Sequence, residues 1–151
     1  MYTRILVAID SSTTAQKALT EAIALARSGG VPLCVVHAVD EGPLAQHGMG
    51  LGSYIDIDKV KQEMRDAGNA LLAQALAKAQ EAGCTQTEAL LIESTHRRLA
   101  DMIVDAASQW RADLIVMGTH GRRGFERMLV GSVAEHVVRI ATTSLLLVRE
   151  N

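Results

Sequence analysis

Asp113 to Arg149 reads DLIVMGTHGRRGFERMLVGSVAEHVVRIATTSLLLVR. It opens on a short apolar run, Asp113 to Gly118, and closes on another, SLLLVR. Between them lie a loop with three glycines and three arginines and an amphipathic stretch from Val133 to about Ala141. Short, nearly continuous apolar runs are the mark of strands covered on both faces, and a strand–helix–strand step in one sheet is a right-handed parallel crossover. The stretch therefore predicts a β–α–β unit whose glycine loop lies between strand and helix.

Working outward, the same alternation fills the chain. Arg4 to Ile9, RILVAI, predicts a first strand ending at Asp10. SSTTAQKALTEAIALARSGG supplies hydroxyl caps, helical spacing of Ala15, Leu19, Ala22, Ile23 and Ala26, and a Gly29–Gly30 stop. Val31 to Val39 predicts a second strand with its proline near the start, where a missing ladder donor does least harm. Asp40 to Asp56 has weak periodicity and reads as a long loop, and Asp58 to Ala82 carries one apolar stripe closed by Gly83. Thr87 to Glu93 predicts the third strand and Arg97 to Trp110 a helix. The fold class that follows is α/β: an open five-stranded parallel sheet, doubly wound, with helices on both faces, and the order 3-2-1-4-5, if adopted, would make strands one and four neighbours. At 151 residues, with no internal repeat or linker, one domain over 1–151 is expected, burying roughly 70% of the surface its unfolded chain exposes.

Bulk properties narrow the functions. Net charge is −2 and the pI about 6.2, so no global field favours nucleic acid or an anionic membrane. One Trp, two Tyr and one Phe leave little material for stacking single-stranded bases. The apolar runs are far short of the ~20 residues a membrane span needs, and the N-terminus shows no signal-peptide pattern, so a cytoplasmic protein is expected. Cys34 and Cys84 stand fifty positions apart in unrelated contexts and read as a buried and a loop thiol. His37 reads as a buried, hydrogen-bonded strand histidine, and His96 to Arg98 as a solvated helix start.

In an open α/β sheet ligands bind beyond the carboxyl ends of the strands where the order reverses. Asp10 after strand one and the loop from Gly118 after strand four would meet there. Gly131 and Ser132 precede a helix, whose first N–H groups and positive dipole end attract anions. Glycine at 131 lets backbone approach a phosphate, and Arg122, Arg123 and Arg127 add local positive charge, with His120 a further candidate contact. A ligand-free reading stands beside this one: S-V-A-E, Ser132 to Glu135, has the spacing of a capping box.

The spacing Gly118-x-x-Gly121, nine residues, then Gly131-Ser132, with Asp10 after strand one and the five-strand layout, resembles the universal stress protein family over essentially the whole chain. The G-x-x-G-x9-G-[S/T] pattern is that of the family's ATP-binding branch. The resemblance implies a Rossmann-like, adenine nucleotide alpha-hydrolase-like fold and a stress-response protein that binds ATP, ADP or AMP, with Mg²⁺ held mostly by phosphate oxygens and water. It implies Gly118, Gly121, Gly131 and Ser132 around the phosphates and Val133 at the helix start. Asp10 would meet the ribose, Val39 would offer main chain to the adenine edge, and Met117 would line the pocket. It also implies a homodimer through the last strand, Leu145 to Val148, whose apolar edge would otherwise invite aggregation. Many relatives carry proline just before that strand, where this chain has Ser144 after Thr142 and Thr143. The output would be contact with another protein. Two other classes remain open: a slow ATPase or phosphotransferase, although the Walker lysine is absent, and a nucleotide-independent dimeric adaptor.

Overall fold

The computed structural model describes residues 1–42, 44, 56–94, 96–120 and 130–150. In chain order the elements are β1 (Ile5–Ala8), α1 (Thr13–Gly29), β2 (Leu33–Asp40), α2 (Ile57–Glu81), β3 (Thr87–Ser94), α3 (Leu99–Trp110), β4 (Leu114–Gly118), α4 (Ser132–Ile140) and β5 (Ser144–Val148). All four strand pairings are parallel, and the sheet order is β3-β2-β1-β4-β5. The expected order, 3-2-1-4-5, is the one found.

Alternation along each strand sorts the core into two faces. Ile5, Val7, Leu33, Val35, Leu114 and Val116 point to the side covered by Leu19 and Ile23 of α1 and Leu72 and Ala75 of α2. Leu6, Cys34, Val36 and Ile115 point to the other side, against Ile103, Ala106 and Ala107 of α3. Met117 continues that second face, packed with Ala100 of α3 and with Ala134 and Val137 of α4. Each large side chain buried this way stabilises the fold by about 1.5–3 kcal/mol. The central strands are apolar on both faces because helices cover both.

Element ends follow their local chemistry. Ser12 caps α1 by accepting from the Ala15 N–H at 3.2 Å, and Asp56 caps α2 by accepting from Lys59 at 3.2 Å. α1 stops at Gly30, whose φ of 61° is left-handed, and α3 stops at Arg111, a non-glycine residue at φ 59°. At the amino end of the sheet, Asp113 accepts hydrogen bonds from the Thr3 and Arg4 N–H groups and from the Thr3 hydroxyl. Burial pushes its carboxyl pKa up, but those bonds outweigh burial and hold it below the ordinary carboxylate value. The Arg4 guanidinium lies 4.0 Å from the Trp110 ring centre, and Trp110 Nε1 donates to Glu88 at 2.6 Å.

Both cysteines are buried and unpaired. Burial pushes the Cys34 thiol up to about 12, so it is a small hydrophobe and not a nucleophile. Among the described residues no helix is long and apolar enough to cross a membrane. The expected long loop, Asp40 to Asp56, falls mostly outside the described residues.

Candidate functional site

β1 and β4 are neighbours from which the chain departs in opposite directions, β1 toward β2 and β3, β4 toward β5. Their carboxyl ends form the switch point, and three segments converge there. On the β1 side, Asp10 Oδ1 accepts the Ser12 N–H at 2.8 Å, a tight turn that hands the chain to α1. On the β4 side, the Thr119 N–H donates to the Val148 carbonyl at 2.9 Å, extending the β5 pairing by one bond. The Gly131 N–H then donates to the Thr119 carbonyl at 2.5 Å, tying the residue before α4 directly to the end of β4. Thr119 is fully buried, with its hydroxyl 3.0 Å from His120 Nδ1.

Gly118 has a packing reason to be glycine. A Cβ there would lie 2.7 Å from Thr14 Oγ1, 2.8 Å from Thr14 Cβ and 3.0 Å from the Thr14 carbonyl carbon. The Thr14 hydroxyl also donates to the His120 carbonyl. α1 therefore rests on the backbone of β4 and holds His120, two residues beyond its end.

The start of α4 corrects the capping-box alternative. Gly131 is the N-cap, with extended φ −72° and ψ 164°, no side-chain cap is made, and Ser132 is already the first helical residue. Glu135 is thereby one position too far along to reach back, and it pairs instead with Arg139 at 2.7 Å. The first helical hydrogen bond runs from the Glu135 N–H to the Gly131 carbonyl at 2.9 Å. The N–H groups of residues 132–134 lie ahead of that bond at the positive end of the helix, with no capping side chain among the described residues. Such an end accommodates an anion at no cost to existing bonds. Ser132 is exposed and Val133 half-buried. Both face a groove of about 500 Å³ shared with Arg98, Leu99, His136 and Ile140. His136 Nε2 stands 3.9 Å from Asp101 of α3.

The end of β2 shows a register that the residue pattern alone does not. Successive residues of a strand direct their N–H and C=O groups to opposite neighbours. Val36 accepts from the Ile9 N–H on the β1 side, at 2.9 Å, whereas Leu33 donates to Gln86 on the β3 side, also at 2.9 Å. Even-numbered residues thus face β1 and odd-numbered ones β3. Val39 turns its main chain to β3, opposite Glu93. β1 pairing ends at Ala8, level with Val36, so the residue whose main chain faces the space that β1 vacates is Ala38. His37 accompanies it, its Nδ1 2.8 Å from the Ile9 carbonyl, hydrogen-bonded as expected but half-buried and not buried. Met117 is buried, its side chain taken up by the α3–α4 packing.

The structure thus brings Asp10, Gly118, His120, Gly131 and Ser132 to one end of the sheet. Gly121, Arg122, Arg123 and Arg127 lie outside the described residues. Among the described residues no three His, Cys, Asp or Glu side chains come together as a metal site. Ser12, Thr14 and Ala38 were not singled out by the sequence as site residues. The hydroxyls after Asp10 read there as helix caps, and the facing of Ala38 depends on where β1 stops.

A profile of the universal stress protein family matches residues 1–149. Universal stress protein YxiE of Bacillus subtilis is 31% identical over 152 residues, covering 99% of this chain and 100% of its own. Among solved structures, hypothetical protein MJ0577 has a TM-score of 0.85 at 22% identity, covering 100% of this chain and 98% of that one, a likeness of fold. A universal stress protein from Archaeoglobus fulgidus in complex with dAMP shares 28% identity at a TM-score of 0.69, over 97% of this chain and 98% of that one. A universal stress protein in complex with cAMP shares 25% identity at a TM-score of 0.69, over 99% and 98%.

Proposed function

The chain belongs to the universal stress protein family, and on that premise we propose that it binds an adenine nucleotide at the carboxyl ends of β1 and β4 and acts as a nucleotide-dependent regulator through protein contacts. The observation that carries the reading is the start of α4. Its N-cap is a glycine with no side chain to satisfy the first N–H groups, and that glycine is fixed to the end of β4 by the Thr119–Gly131 bond. A phosphate of the nucleotide takes the place a capping side chain would fill, and Ser132 adds a hydroxyl donor. The relatives solved with dAMP and with cAMP support the adenine nucleotide class.

In this placement Asp10 keeps Oδ1 on its own turn and offers Oδ2 to a ribose hydroxyl. The main chain of Ala38, one residue before the expected Val39, meets the adenine edge. A Mg²⁺ accompanying the nucleotide would be held by phosphate oxygens and water, with the protein fixing the phosphates and not the metal. The second part of the proposal is a homodimer through β5. β5 is an edge strand, and Leu145, Leu146, Leu147 and Val148 are only half-buried in the single chain, so pairing with a second copy removes an open apolar edge.

Analysis of ligand released from the purified chain, followed by calorimetric titration with ATP and AMP, tests the nucleotide. Released adenine nucleotide, or saturable heat at or below millimolar concentrations, is expected. Absence of both signals would remove the proposal. Sedimentation of the chain with and without a charged residue at Leu146 tests the dimer.

A further inference from the structure

Thr14 is the second residue of α1, near a helix start, where threonine side chains are ordinarily solvated, yet it is only 2% exposed. Its hydroxyl donates to the His120 carbonyl, and Ser12 Oγ lies 3.3 Å from Thr14 Oγ1 and 3.5 Å from the same carbonyl. A carbonyl only accepts, so the one proton of Thr14 goes to His120, and the contact between the two hydroxyls runs with Ser12 as donor. Ser12 Oγ in turn accepts from the Ala15 N–H, while the Ser12 N–H is held by Asp10. One chain of hydrogen bonds therefore crosses the switch point, from Asp10 after β1 to His120 after β4.

The consequence reaches α4. The carbonyls of Thr119 and His120 are consecutive; the first accepts from the α4 N-cap and the second from α1. The two peptide planes that carry these carbonyls meet at the His120 Cα and are joined there by only two soft dihedrals, so holding the second carbonyl restrains the orientation of the first. Gly118 leaves the space in which Thr14 sits against β4. We propose that Thr14 is a positioning residue for phosphate binding: by holding the His120 carbonyl it fixes the Thr119–Gly131 bond and so aims the first N–H groups of α4. This deepens the nucleotide reading above and rests on it.

Two measurements on the full chain separate the two claims. Thr14→Val keeps the shape and removes the hydroxyl, and Thr14→Ser keeps the hydroxyl. In the nucleotide-free protein, hydrogen exchange of the Gly131 amide is expected to quicken about tenfold in Thr14→Val, the effect of losing roughly one hydrogen bond's worth of local protection, and to stay native in Thr14→Ser. Titration with ATP and AMP is expected to show affinity lowered by about tenfold in Thr14→Val and recovered to within about twofold in Thr14→Ser. Thr14→Ala, which relieves rather than adds crowding beside Gly118, takes the same measurements should the valine variant not fold. Native Gly131 exchange without the hydroxyl overturns the role of Thr14 whatever the titration gives. Quickened exchange with native affinity overturns its link to binding. A wild-type chain that binds neither nucleotide refutes the phosphate site itself.

Discussion

Replacing Gly118 by alanine adds a single methyl group where α1 crosses β4. The methyl carbon would sit 2.7 Å from Thr14 Oγ1, 2.8 Å from Thr14 Cβ and 3.0 Å from the Thr14 carbonyl carbon. Ordinary van der Waals contact begins near 3.5 Å, so about half an ångström or more must be found. The hydroxyl cannot supply it by rotating away without losing the His120 carbonyl, and the third contact is backbone of α1. α1 and β4 must therefore part, and α1 is anchored on this face by Leu19 and Ile23. Overpacking of this kind costs about 1–3 kcal/mol, and a backbone obstacle places Gly118→Ala in the upper half, about 2–3 kcal/mol. At about 2–4 °C per kcal/mol for a chain of this length, the melting temperature should fall by roughly 4–12 °C. Urea unfolding should show an unchanged slope and a lower midpoint. Nucleotide affinity should fall as well, because Thr14 and the Thr119–Gly131 bond are displaced together. A melting temperature within about one degree of wild type would refute the packing account of Gly118, since no relaxation that avoids Thr14 would be that inexpensive.

Further outcomes follow from other positions. Gly131→Val should abolish nucleotide binding without unfolding the chain, because φ −72° is open to any residue and the added side chain would enter the proposed phosphate space; native affinity by calorimetry would contradict it. Arg111→Gly should raise stability by about 0.5–1 kcal/mol in urea, because φ 59° strains any side chain and favours glycine after a helix. A neutral or destabilising result would mean that the Arg111 side chain makes up for the strain. Asp113 has a folded pKa below its ordinary value, so its contribution is present above about pH 4 and lost as pH falls through the depressed value. The stability gap between wild type and Asp113→Asn should therefore be widest near neutral pH and narrow in acid, read from urea midpoints across pH 2.5–7, on the order of the range bracketing that titration. A gap independent of pH would refute it.

Much of this fold was legible because strands buried on both faces are written as short apolar runs. RILVAI is the central strand and DLIVMG an interior neighbour, each apolar on both faces because helices cover both. Boundaries moved where local geometry decided. β2 begins at Leu33, after Pro32, which has no N–H to donate to a ladder. α3 begins at Leu99, because Arg98 keeps the extended conformation of a cap. The candidate site divided along the same line. Asp10, Gly118, Gly131 and Ser132 could be picked out by spacing and were brought together by the sheet order. The capping alternative at Ser132 failed by one residue, a shift no spacing pattern detects, since glycine and serine are both acceptable N-caps. Thr14 and Ala38 were out of reach for a different reason. The first is defined by α1 lying on β4, and the second by the length of β1 relative to β2.

The central claim is that the open start of α4 holds a nucleotide phosphate, and the backbone N–H groups there can be watched directly. The decisive measurement is an amide NMR titration of the uniformly ¹⁵N-labelled chain with ATP, with adenosine as the phosphate-free control. The account predicts that ATP moves the Ser132 and Val133 amide resonances downfield and in a saturable way, and that adenosine leaves those two unmoved. Saturable ATP binding that leaves the Ser132 and Val133 amides where they were would contradict it.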